Sequence, residues 1–183
     1  DKIVIEIEKL NVKDQIIEVE DIMKKRNFEA LSIEETYGKT RAFLKIQEGC
    51  DRFCTYCIIP YTRGPVRSRA LDDIKAEVKS LVKNGYKEVV LTGIHVASYG
   101  KDLENITLLD VIKSISKIDG IERIRTSSVE PLIITDEFLE EIIKIEKFCP
   151  HFHLSLQSGC DTVLDRMNRR YTSKDYEIAV SKI

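Results

Sequence analysis

Three cysteines within eight residues, Cys50, Cys54 and Cys57, constrain this chain more than any other feature of it. Their C-x-x-x-C-x-x-C spacing follows directly on the apolar run Phe43-Leu44-Lys45-Ile46. Intervals of four and three residues cannot all lie along a straight strand, so the segment must curl into a loop. A curled loop can aim three sulfurs at a common centre. Three thiolates can hold three irons of a 4Fe–4S cubane and leave the fourth without a protein ligand, whereas a fully protein-ligated cluster has four cysteines. An open iron can chelate a small molecule through an amine and a carboxylate, which suits S-adenosylmethionine. Two simpler readings compete. A closed zinc site needs a fourth Cys or His, and the nearest, His95 and Cys149, are distant in sequence. Three core cysteines would be an odd concentration in so short a stretch.

At 183 residues and 43% hydrophobic, the chain can bury one sizeable core. Its 29 basic and 31 acidic side chains leave a net charge of −2, which neither announces a nucleic-acid binder nor excludes local basic patches. No apolar run approaches a membrane span. Five cysteines, three of them clustered and none in a paired secretory pattern, fit a reducing cytoplasm. The sequence opens without methionine and closes inside an amphipathic pattern, so it is expected to be part of a longer protein.

Residues 1–41 read as the tail of a preceding domain or a linker, and 42–183 as the start of a larger α/β domain. In the first part Ile3, Ile5 and Ile7 alternate as in a strand, residues 21–26 suit a short helix, and 31–35 suit an edge strand. Lys24-Lys25-Arg26 reads as a solvated face. In the second part, strand candidates at 42–47, 87–92, 121–126 and 152–156 alternate with helical patterns. Ile74, Val78, Leu81 and Val82 share one helix face, with Asp72 as its expected cap and Gly85 as its stop. Leu108, Leu109, Ile112 and Ile115 mark a second helix, and a third opens at Thr135. The last begins near Ser173, with Tyr176, Val180 and Ile183 on its apolar side. Strands separated by single helices pair in parallel. The expected fold is therefore a partial (β/α) barrel of about four parallel strands, its chemistry at the C-terminal strand ends.

The string Cys50 to Cys57, with Tyr56 as the aromatic before the last cysteine, resembles the hallmark of radical S-adenosylmethionine enzymes. With its flanks, Phe43 to Gly49 and Ile58 to Tyr61, and with Gly64-Pro65-Val66-Arg67-Ser68-Arg69, it is similar to the methylthiotransferases of that superfamily. The resemblance runs from about Ala42 to the end. It implies one 4Fe–4S cluster on Cys50, Cys54 and Cys57, and bound S-adenosylmethionine cleaved by one electron to a 5′-deoxyadenosyl radical that removes a substrate hydrogen. It also implies an electron donor, and a second 4Fe–4S cluster in an N-terminal domain outside this sequence. In that family sulfur insertion uses the second cluster, so the chain alone is not expected to complete the reaction. Gly64 to Arg69, with Thr92-Gly93-Ile94-His95-Val96, looks closest to the tRNA branch acting on N6-threonylcarbamoyladenosine. The other branches act on isopentenyladenosine in tRNA and on an aspartate of a ribosomal protein. A non-catalytic zinc module remains the alternative of another class.

The strand ends supply the expected cofactor contacts. Tyr56 would pack near the adenine, and Gly93, by its family counterpart, would meet the methionyl amino group. Ser127 and Glu130, in Thr126-Ser127-Ser128-Val129-Glu130-Pro131, suit the ribose or amino group, although a turn held by Pro131 explains them equally. Gln157 would line the pocket at the fourth strand end. In Arg166-Met167-Asn168-Arg169-Arg170-Tyr171-Thr172, Arg169 or Arg170 suits the cofactor carboxylate. Arg63, Arg67 and Arg69 are candidates for phosphate contacts or surface ion pairs. His95 is given no role, Cys149, His151 and His153 read as structural, and Cys160 is left aside.

Overall fold

A computed structural model describes residues 21–29 and 40–183. The strands expected near residues 3–7 and 31–35 lie outside the described residues. The apolar run makes β1 (Ala42–Glu48), along which burial alternates, with Ala42, Leu44 and Ile46 buried and Phe43 turned to the opposite, more open face. The continuous run Val89-Val90-Leu91 makes β3 (Glu88–Gly93), which is buried on both faces. Together with β4 (Arg123–Thr126) these form a parallel core, β1 pairing β3 and β3 pairing β4. A two-residue strand, β2 (Arg67–Ser68), adds antiparallel to the far edge of β1, giving the order β2-β1-β3-β4.

The stretch expected as a fourth parallel strand, 152–156, is not a continuous one. Phe148 bridges Ile124 and Leu154 bridges Val129, both in parallel, and the pairing slips by one residue between them. Pro150 lies between the two bridges and has no N–H to offer a ladder. The edge therefore follows β4 without fusing to it.

The α-helices among the described residues are α1 (Ile59–Arg63), α2 (Leu71–Lys83), α3 (Leu108–Ser116), α4 (Asp136–Ile142), α5 (Asp161–Arg166) and α6 (Ser173–Lys182). Four of them, α2, α3, α4 and α6, are those the sequence patterns mark, and α1 and α5 are short additions. Gly85 ends α2 as expected: its amide and that of Tyr86 return to Val82 O and Leu81 O. Asp72 is not the cap; Ala70 holds that place without a side-chain bond, and Asp72 instead pairs with Lys75 at 2.9 Å. Thr107 and Thr172 close capping boxes with Asp110 and Asp175. On α6 the buried residue is Ala179, while Val180 and Ile183 are exposed, because the helix meets the core through one small side chain. One apolar cluster joins β1, β3 and β4 to Ile74, Val78 and Leu81 of α2 and to Val111, Ile112 and Ile115 of α3.

The segment expected as a helix near 21–26 is a single 3-10 turn, Ile22–Lys24, capped by Asp21. It packs against α1, and Phe28 lies under the Lys45 ammonium at 5.3 Å. Lys24 and Lys25 pair with Asp21 and Glu29, as a solvated face would.

Candidate functional site

The cysteine loop leaves β1 at its C-terminal end. Gly49 makes the exit, with a backbone φ of +69° and no room for a side chain: a Cβ there would fall 1.9 Å from the Pro65 carbonyl oxygen. That close approach lets the Cys50 amide donate to Gly64 O at 3.0 Å. The loop then turns through Phe53, also in the left-handed region, and closes with the Cys57 amide on Cys54 O at 2.9 Å. Cys50, Cys54 and Cys57 are free thiols, the first two buried and the third half-buried. Burial pushes the Cys50 thiol up, partly offset by a backbone hydrogen bond at Arg52. A ligand at this site must therefore take the proton's place, as metal binding to cysteine does.

The far side of the loop rests on the segment that joins α5 to α6. Thr55 Oγ1 donates to Arg166 O at 3.0 Å, and the Thr55 amide to Met167 O at 3.2 Å. Asn168, with φ +56°, donates through Nδ2 to Arg52 O at 3.2 Å and Phe53 O at 2.9 Å. Residues more than a hundred positions apart thus share one hydrogen-bonded seam.

At the centre of the site is Glu130, whose carboxylate is buried among three partners. Arg52 Nη2 lies 2.8 Å from Oε2, His95 Nε2 3.0 Å from Oε2, and Arg169 Nη2 2.9 Å from Oε1. Burial alone would raise its pKa, but the close contact with His95 and the charges of Arg52 and Arg169 outweigh it and hold the carboxyl below its usual range. His95 is fixed in turn, Nδ1 on Ser98 Oγ at 2.7 Å and its amide donating to Gln47 Oε1 at 2.7 Å. Arg169 carries the network to the cysteines: Nη1 donates to Cys54 Sγ at 3.3 Å and reaches Tyr56 Oη at 3.5 Å, while Nε donates to Tyr171 Oη at 3.2 Å. Burial alone would lower the Arg169 pKa, but these bonds and the Glu130 charge raise it, so the guanidinium stays charged.

Of the residues singled out from sequence, the fold therefore brings Cys54, Tyr56, Glu130 and Arg169 together. Arg170 is exposed, so of the two candidate arginines Arg169 is the one in the site. Gly93 has a local reason for being glycine: a Cβ there would sit 2.8 Å from Gln47 Oε1 and 2.9 Å from Gln47 Cβ. Ser127 follows β4 directly, its amide on Leu91 O at 2.9 Å. Gln157 is exposed, with φ +65°. Cys149 is buried, as expected of a core residue, and His151 and His153 are exposed.

Arg67 and Arg69 are not phosphate contacts. Both are buried, Arg67 beside Glu48 at 3.4 Å and Arg69 on Glu77. Burial next to a carboxylate within β2 and its continuation removes them from the surface, while Arg63 remains exposed.

Arg52, His95 and Tyr171 belong to the site without having been singled out for it. Arg52 occupies an x position of the C-x-x-x-C spacing, where a charged residue carries no signal of its own. A cavity of about 370 Å³ opens beside the network, floored by Arg52 and Glu130 and walled by Tyr99, Leu108, Leu132 and Phe138.

Among the described residues, no three His, Cys, Asp or Glu side chains converge tightly enough for a single metal ion. A cubane makes a weaker demand, since each thiolate binds its own iron. Three free thiols on one loop, with an arginine N–H aimed at one sulfur, fit that group.

The Radical SAM superfamily profile matches residues 44–183. The chain belongs to the radical SAM superfamily. That family uses a 4Fe–4S cluster and S-adenosylmethionine. Among curated relatives, the chain is 43% identical over 166 residues to the threonylcarbamoyladenosine tRNA methylthiotransferase MtaB of Bacillus subtilis, covering 90% of this chain and 37% of the relative. It is 47% identical over 144 residues to the tRNA-2-methylthio-N(6)-dimethylallyladenosine synthase of Clostridium botulinum strain Hall, covering 78% of this chain and 32% of that one. The chain thus spans about a third of the length of these relatives. Among solved structures, the radical S-adenosylmethionine methyltransferase TsrM of Kitasatospora setae superposes with a TM-score of 0.61 at 16% identity, over 78% of this chain and 28% of that one. The partial-barrel fold is that of radical SAM enzymes. Among the described residues no helix is long and apolar enough to cross a membrane.

Proposed function

We propose that this chain is the cluster- and cofactor-binding part of a tRNA methylthiotransferase, and that the whole protein adds a 2-methylthio group to N6-threonylcarbamoyladenosine. The observation that carries the reading is the cysteine loop itself, leaving β1 at the same end of the parallel strands as His95 and Glu130. Cys50, Cys54 and Cys57 would hold the cluster, which supplies the electron that cleaves S-adenosylmethionine to a carbon radical. The chain's own residues do the rest. Tyr56, half-exposed beside Cys57, offers a ring for the adenine; Ser127 and Glu130 stand at the mouth of β4, Gly93 ends β3 beside it, and Gln157 follows the bridged segment at Leu154. Water must be kept from such a radical, and the buried Arg52–Glu130–Arg169 network closes one side. The tRNA, a low-potential electron donor, a second cluster and a cytoplasmic setting belong to the proposal for the whole protein.

The experiment has two arms. Anaerobic reconstitution should load about four irons with matching sulfide, and the triple variant Cys50→Ala, Cys54→Ala, Cys57→Ala should load none. Stoichiometric zinc without iron would sink the ligand assignment and favour the zinc module. Nucleoside mass analysis of tRNA from cells lacking the whole protein should show loss of 2-methylthio-N6-threonylcarbamoyladenosine. A second branch has an observation of its own, the 47% identity to the dimethylallyladenosine enzyme. Loss of that enzyme's product instead would transfer the assignment to it.

A further inference from the structure

We infer that Arg169 is a positioning residue for the cluster, its Nη1–H bond to the Cys54 sulfur raising the cluster's one-electron midpoint potential. This rests on the reading of Cys50, Cys54 and Cys57 as cluster ligands.

The geometry leaves the guanidinium little freedom for another task. Of its five N–H groups, Nε is on Tyr171 Oη, Nη1 is on Cys54 Sγ and beside Tyr56 Oη, and Nη2 is on Glu130 Oε1. Each anchor is itself held. The Tyr171 hydroxyl shares its one proton between Ser155 O at 2.7 Å and Leu156 O at 3.0 Å, and its ring lies 5.0 Å under the Arg169 guanidinium. Glu130 is pinned from the other side by Arg52 and His95. Turning Arg169 away to clamp a cofactor carboxylate would strip a buried carboxylate of one of its cations, a costly rearrangement. Held in place, the fork keeps one N–H on a sulfur that is a thiolate whenever it ligates iron.

Hydrogen bonds to ligand sulfurs and nearby net charge are among the means by which a protein sets the potential of an iron–sulfur cluster. Reduction adds one electron, taken from an external low-potential reductant, to a group whose sulfurs share the added charge. No bond breaks, and the proton stays on the guanidinium. An N–H aimed at Cys54 stabilises the more negative state, so reduction becomes easier. Glu130 contributes with the opposite sign as a bare charge, yet it fixes the donor. That opposition separates hydrogen bonding from simple electrostatics.

The test is an anaerobic potentiometric titration of the reconstituted chain, followed by electron paramagnetic resonance without added S-adenosylmethionine. Arg169→Lys keeps the charge and loses the fork, and its midpoint should shift negative. Glu130→Gln removes a negative charge, which alone would shift the midpoint positive; with the clamp loosened, the shift should be negative. The exposed neighbour control, Arg170→Gln, should leave it unchanged. If Arg169→Lys loses its fold by circular dichroism, Tyr171→Phe releases one anchor and should give a smaller negative shift. An unchanged midpoint in a fully loaded Arg169→Lys protein, or in Tyr171→Phe where that replaces it, would overturn the inference, as would a positive shift in Glu130→Gln. A parent chain that takes up no iron would instead overturn the ligand assignment beneath it.

Discussion

Arg67 on β2 and Arg169 beyond α5 both have side chains less than a tenth exposed, and they do different work. Arg67 is 2% exposed, and its Nη1 donates to Arg63 O at 2.8 Å and Pro65 O at 3.2 Å, with Glu48 at 3.4 Å from Nη2. All its partners belong to the edge that β2 and α1 build around Gly49, so its role ends with the fold. Arg169 spends one donor on a carboxylate, one on a tyrosine and one on a cysteine sulfur. The acceptor distinguishes them: carbonyls mark a cation that closes a turn, and a thiol in a three-cysteine loop marks one aimed at chemistry. Burial and charge alone do not separate the two.

The contrast can be broken first at the carboxylates. Glu130→Ala leaves Arg52 and Arg169 buried without their counter-charge, and removing one partner of a buried pair costs about 3–5 kcal/mol. Urea unfolding should show a loss of that size, together with reduced iron uptake. A loss within error would mean that the network is hydrated, not buried.

Arg67→Met should come next, at about 1–3 kcal/mol, the cost of leaving buried acceptors unsatisfied. Here the folded fraction should still load its full complement of iron. If instead iron falls while stability holds, the two arginines are not as different as their acceptors suggest.

A smaller effect should follow at the seam. Asn168→Ala removes two hydrogen bonds to the cysteine loop and places a less tolerant residue at φ +56°, worth about 1–2 kcal/mol together. Asn168→Gly restores the backbone freedom and should recover part of the stability but not the loop's retention of iron. Equal iron loss rates for Asn168→Gly and the parent would detach the seam from the site.

The smallest effect separates a surface pair from the buried network by pH. Glu141 is half-buried at the surface, and its hydrogen bonds to Lys113 and Lys144 hold its carboxyl at about 2, below the ordinary 4.5. A depressed folded pKa gives stability that is present above the ordinary value and lost as pH falls from about 4.5 towards 2. Glu141→Gln should therefore flatten the acid limb of urea midpoint against pH only slightly, because the pair is screened. A large flattening would show that the surface cluster, not Glu130, governs acid stability.

Much of this molecule was readable before any coordinates. The apolar run Phe43-Leu44-Lys45-Ile46 and the unbroken run at Val89 to Leu91 identify β1 and β3, since such runs are local signals. Thr135 announces α4 by the same logic, its hydroxyl taking the Phe138 amide. The cysteine loop is equally local, its three cysteines lying within eight residues. What failed has a common cause. Pro150 interrupts the last strand, β2 is too short to carry a period, and the burial of Arg67 and Arg69 depends on where Glu48 and Glu77 come to lie.

By itself, then, the sequence determined the parallel α/β plan, the loop at the end of β1 and the family to which both belong. Only the tertiary structure decided that Glu130 would gather Arg52, His95 and Arg169, and that Arg169 rather than Arg170 would reach Cys54. Periodicity and spacing report on neighbours a few residues apart. The site is made across 113 to 116 positions of chain, between Tyr56 and Arg169 and between Arg52 and Asn168, and contacts of that separation exist only once β1, β4 and the α5–α6 connection have packed at one end of the sheet.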